Sequence, residues 1–157
     1  MLELRGITKR FGEVLANDGV DVRIEPGTVH ALVGENGAGK STAMRIAYGF
    51  YTADAGEVRV DGEARTIAHP RAAIALGIGM VHQQLMLINA MTVAENVVLG
   101  DEPGSPWALD LAGAAARIRA LSAELGLAVD PRARVESLSI GERQRVELVK
   151  ALYRGSR

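Results

Sequence analysis

An α/β fold is what the sequence predicts, and three observations predict it. A dense apolar run, Val29 to Val33, passes at once into glycines and then into helical periodicity from about Lys40. Short alternating stretches flank this unit on both sides, and from residue 85 onward the pattern turns to helices. At 157 residues the chain fits one ordinary domain. Within it, residues 1–84 form an α/β core with an antiparallel hairpin, and residues 85–157 a helical lobe.

Leu2, Leu4 and Ile7 alternate with polar residues, as do Val20, Val22 and Ile24, so both stretches are expected as half-buried strands. Pro26-Gly27 makes a turn, and Val29 to Val33 is a short buried strand. Glu57 to Val60 and Glu63 to Arg65 are joined by Asp61-Gly62, which supplies the positive φ angles of a tight primed turn. Pro70 opens a helix ending near Gly77, and Ile78 to His82 is a further buried strand closed by Gln83-Gln84. In the second half, Thr92 to Glu95 is a capping box. Leu109 to Leu125 is an alanine-rich helix, and Ser139 to Tyr153 is another helix, with joints at residues 101–106 and 130–131.

Composition narrows the function. Apolar residues make up 48% and charged residues 24%, the proportions of a folded globular protein. The 18 basic and 19 acidic residues are interspersed, with a net charge of −1, so no electrostatic footprint for a nucleic-acid backbone is present. With no cysteine there is no disulfide framework, thiolate metal site or thiol nucleophile. The run from Ala72 to Val81 is far short of the ~20 residues of a spanning helix, and the first residues lack the form of a signal peptide. Membrane association is therefore expected only through a partner. His30, His69 and His82 have no metal-ligand spacing and are assigned no chemistry.

One motif carries the chemistry. Gly34-Glu35-Asn36-Gly37-Ala38-Gly39-Lys40-Ser41-Thr42 satisfies G-x-x-x-x-G-K-[ST] between an expected strand and an expected helix. Glycines 34, 37 and 39 let the backbone fold into a nest whose N–H groups point at phosphate oxygens, aided by the helix dipole. Asn36 and Ala38 lie within that nest. Lys40 neutralises β- and γ-phosphate charge, Ser41 places its hydroxyl on Mg²⁺, and Thr42 contacts a phosphate oxygen. ATP with Mg²⁺ is the expected ligand, and the fold is expected to be a P-loop NTPase (RecA-like) core.

A second motif, Leu138-Ser139-Ile140-Gly141-Glu142-Arg143-Gln144-Arg145-Val146, resembles the LSGGQ-type signature of ABC ATPases. Taken alone, Ser139 and Glu142 are a capping box opening an amphipathic helix. The resemblance implies more: Ser139, Gly141 and Gln144 grip the γ-phosphate bound to a second ATPase domain, the two sandwiching ATP head to tail. Gly79 to Gln83 is similar to the strand entering the family's Q-loop. Gln83 would then join Lys40 in catalysis and contact Mg²⁺ and the attacking water, where the plainer reading is a polar strand end. Phe11 sits where the family keeps an aromatic that stacks on adenine, or packs in the core. Leu85 to Ile88 lies where the family receives a helix of the membrane-spanning partner.

The wording around these motifs is most similar to the simple-sugar or nucleoside importer branch. It implies an ATP-driven import subunit, peripheral on the cytoplasmic face of the membrane and bound to permease subunits. An extracytoplasmic solute-binding protein would be an indirect partner. The sequence ends at Arg157, before the hydrophobic strand ending in aspartate–glutamate and the switch histidine that follow the signature helix in the family. A core truncated before that Walker B strand is expected to leave an open apolar edge, to bind ATP and to turn it over poorly. Two other functions stay open: a nucleotide-binding module without catalysis, and an ABC ATPase outside transport.

Overall fold

The computed structural model describes residues 1–105 and 108–156, and the chain divides into two compact units, Met1–Ile78 and Gly79–Arg157. Of the joint expected at residues 101–106, Pro106 lies outside the described residues.

The first unit is built on an antiparallel sheet. Strands β1 (Leu2–Phe11), β2 (Val14–Ile24), β3 (Ala55–Val60) and β4 (Glu63–Arg65) stand in the order β2-β1-β3-β4. Leu4 and Ile7 are both buried although three residues apart, which strict alternation forbids. A register shift between them in the β1–β2 ladder turns Ile7 back onto the core face. The Asp61-Gly62 turn forms as its sequence requires, with φ of 51° and 83° and Val60 opposite Glu63.

Helix α1 (Lys40–Ala47) lays Ala43, Ile46 and Ala47 against this sheet, the i, i+3, i+4 face of an amphipathic helix. Full burial of Leu4, Ile7 and Ile46 contributes roughly 2 kcal/mol each. Helix α2 (Pro70–Ala75) carries proline at its first turn, and His69 Nδ1 accepts the Ala72 amide at 3.2 Å as its cap.

Two expected strands are absent. Val29 to Val33 and Ile78 to His82 are irregular, and neither has a ladder partner among the described residues. A strand is held by its neighbours, and a buried parallel strand needs one on each flank. Without them, Val29 is fully exposed and Val33 is 88% exposed. The expected open apolar edge is therefore a bare strip of chain leading into the phosphate loop.

The second unit is helical. Helices α3 (Val93–Val98), α4 (Leu111–Glu124) and α5 (Ile140–Tyr153) close over a core of Val93, Val97, Ile118, Val146, Val149 and Tyr153, joined by Val135 from a single 3-10 turn at Val135–Ser137. Both capping boxes foreseen in the sequence form, Thr92 with Glu95 on α3 and Ser139 with Glu142 on α5. A two-residue ladder of β5 (Gly104–Ser105) and β6 (Ala108–Leu109) delays α4, whose cap is Asp110.

Candidate functional site

The phosphate loop belongs to the first unit. Residues 36–39 turn tightly, with Gly37 at φ 88° and Gly39 at φ 79°, and Ala38 N donates to Glu35 O at 3.3 Å. Gly39 is the position where no other residue fits. A Cβ built there would stand 2.1 Å from the Ala16 carbonyl oxygen of β2. It caps α1 with no side-chain bond, and no acidic residue lies in the helix's first turn. The N-terminal amides of α1 are thus left without a side-chain acceptor, the condition for binding an anion.

Lys40 Nζ donates to the carbonyls of Gly34 at 2.7 Å and Glu35 at 2.6 Å, so the ammonium is held on the loop itself. Ser41 is exposed and Thr42 half-buried at the start of α1, while Gly34 and Asn36 are exposed. The donor set of uncapped amides, one ammonium and two hydroxyls suits a polyphosphate with its magnesium ion.

Phe11, at the end of β1, is 42% exposed, and Tyr51 meets it edge-on with ring centroids 5.1 Å apart. Lys9 Nζ lies 5.5 Å from the Phe11 centroid and pairs with Asp54 at 2.8 Å. The Lys9 side chain and the Arg10 amide, both donating to it, hold the Asp54 carboxyl below its ordinary range. Arg45 from α1 donates to the Tyr51 hydroxyl at 3.2 Å. Phe11 is therefore a partly exposed ring braced from one side, not a core residue.

In the second unit, Ser139, Gly141 and Gln144 lie at the start of α5, all exposed, and Gln83 is exposed in the irregular segment after residue 79. The amide and hydroxyl of Ser139 both donate to Glu142 Oε2, at 2.8 and 2.6 Å, and the Glu142 amide donates back to Ser139 Oγ. These bonds hold the Glu142 carboxyl below its ordinary range. The helix end that the resemblance assigns to a phosphate is occupied by the chain's own carboxylate.

Residues 85–88 are held in an unusual way. Glu147 Oε1 accepts the Met86 amide at 2.6 Å and Lys150 Nζ donates to the Met86 carbonyl at 3.1 Å. Burial pushes Lys150 down, partly offset by Glu147. Two residues on, the Asn96 side chain accepts the Ile88 amide at 2.7 Å and donates to the Ile88 carbonyl at 3.0 Å. Side chains of α5 and α3 thus stand in for a neighbouring strand, and Met86 and Ile88 keep outward side chains 59% and 43% exposed.

Sequence reasoning passed over Asn17, Asn96 and Glu147, three buried polar residues. Asn17 had a signal: asparagine is disfavoured in a strand, and it stands in β2 where an apolar residue would pack. Glu147 had none, because its partner is 61 residues away.

The fold defines the chain as a nucleotide-binding cassette. It is similar to the crystal structure of a nucleotide-free ATP-binding cassette from an ABC transporter, with a TM-score of 0.83 at 28% identity, covering 99% of this chain and 65% of that one. The ABC transporter family model matches residues 17–157, and the chain belongs to that family, whose members bind nucleotide. Among curated relatives, the nucleoside import ATP-binding protein NupA of Lactococcus lactis subsp. cremoris (strain MG1363) is 47% identical over 99% of this chain. The guanosine import ATP-binding protein NupO of Bacillus subtilis (strain 168) is 44% identical over 99% of it. The chain spans 31% of the length of each. Among the described residues no helix is long and apolar enough to cross a membrane.

Proposed function

We propose that this chain is the ATP-binding part of an ABC-type import subunit, coupling ATP binding and hydrolysis to uptake of a small polar solute such as a nucleoside or sugar. The observation that carries the reading is the uncapped start of α1, with no acid in its first turn, beside the Lys40 ammonium. The importer branch rests on the relatives, which are import ATP-binding proteins for nucleosides.

In this reading the amides of residues 34–42 and Lys40 hold the β- and γ-phosphates, Ser41 ligates Mg²⁺ and Thr42 contacts phosphate. Magnesium, when bound, neutralises charge developing on the transferred phosphoryl group. Phe11 stacks on adenine with its exposed face. The Q-loop resemblance assigns Gln83 to Mg²⁺ and the attacking water, and the signature resemblance assigns Ser139, Gly141 and Gln144 to the γ-phosphate of a second ATPase domain. The strip at residues 85–88 meets permease subunits at the inner face of the membrane, and a solute-binding protein acts through the permease.

Titration of the 157-residue chain with Mg-ATP tests the core of this. Saturable binding that Lys40→Ala abolishes is the expected result. Absence of saturable binding, or binding indifferent to Lys40→Ala, overturns the proposal.

A further inference from the structure

We infer that Asn17 is a positioning residue of the phosphate loop, a tether from β2 that sets the height at which α1 begins. The inference rests on the nucleotide-binding reading above and deepens it.

Asn17 is 5% exposed, and its Nδ2 donates to the Gly39 carbonyl at 3.2 Å. Gly39 does not need this bond, because the same carbonyl already accepts the Ala43 amide at 3.0 Å as the first link of α1. The other end of the Asn17 amide, Oδ1, is buried with no hydrogen-bond partner. A buried acceptor without a donor is a cost to the fold, and an apolar side chain of the same shape would remove it. By local rules Asn17 is therefore a poor choice twice over, as an asparagine inside a strand and as a half-satisfied buried amide. Such violations concentrate where function requires them.

What the violation secures is position. The adjoining Ala16 carbonyl leaves no room for a side chain on Gly39, and the Asn17 amide pins the same residue by its oxygen. Gly39 is the last residue before the amides of α1, so a shift of a few tenths of an ångström there moves every donor meant for the phosphates. The loop is otherwise exposed and carries no side-chain cap, so this anchor on β2 is its tie to the sheet.

A role in positioning and a role in packing make opposite demands on one substitution. Asn17→Leu deletes the tether and the orphaned acceptor together. The expected result is a melting temperature equal to or above that of the unaltered chain, with Mg-ATP affinity reduced about tenfold, the equivalent of ~1.4 kcal/mol. Asn17→Asp, which replaces the donor by an oxygen facing the Gly39 carbonyl, is expected to weaken binding further. Affinity within twofold of the unaltered chain in Asn17→Leu overturns the inference. So does a fall in melting temperature, or failure to fold, since either would make Asn17 a stability element. If the unaltered chain takes up no Mg-ATP, the nucleotide reading itself has failed. If it binds, and Lys40→Ala does not, an unchanged Asn17→Leu sinks the tether alone.

Discussion

Two helix ends in this chain face opposite ways in chemistry. Helix α1 begins at Gly39 with no capping side chain and no acid in its first turn, whereas α5 begins at Ser139 with a complete capping box in which the Glu142 carboxylate accepts the Ser139 amide and hydroxyl. By propensity alone the second is the better helix start, since a cap is worth about 1 kcal/mol and an acid near the N-terminus adds a few tenths. The first gives up that stability and keeps its donors for something outside the chain. A phosphate site is therefore recognisable by what a helix lacks. At α5 the chain supplies its own anion to the Ser139 amide and hydroxyl.

That contrast can be broken by experiment, most severely at Gly39. Gly39→Ala forces a Cβ against the Ala16 carbonyl at a φ of 79°, so it is expected to cut Mg-ATP affinity by roughly 100-fold, as a titration would read. The closed style of the second unit extends to its clamps. Glu147→Ala leaves the Met86 amide unpaired and Lys150 without its neighbouring charge, and should lower unfolding free energy by about 2–3 kcal/mol in denaturant melts. Ser139→Ala removes one cap and should cost about 1 kcal/mol, read as a drop of ~2–4 °C in melting temperature.

The smallest effect concerns acid. Glu142 titrates below its ordinary range when folded, so its contribution is present at and above the pH where a free glutamate ionises. It fades as pH falls through the lower folded-state value. Glu142→Gln, which can keep the box but not the charge, should flatten that acid dependence in pH-resolved melting. An unchanged profile would mean that the charge at α5 is idle.

Much of this was legible in the sequence because it is local. Gly34 to Thr42, Asp61-Gly62 and both capping boxes are contiguous motifs whose geometry follows from a few neighbouring residues, and each took the form its residues require. Val29 to Val33 and Ile78 to His82 had the composition of strands, but pairing is a relation with another segment, and among the described residues neither has a ladder partner. The tether at Asn17 and the clamps at Glu147 and Asn96 were hidden for a related reason. Each joins a single polar side chain to a backbone group elsewhere, and nothing in the order of residues announces the partner.

The clamps on Met86 and Ile88 grip main-chain atoms only, so nothing in them reads which amino acid stands at either place. Proline at either position would undo the grip, because it lacks the N–H that is held. A non-proline substitution at either position therefore changes the exposed surface of the strip and leaves both main-chain grips in place.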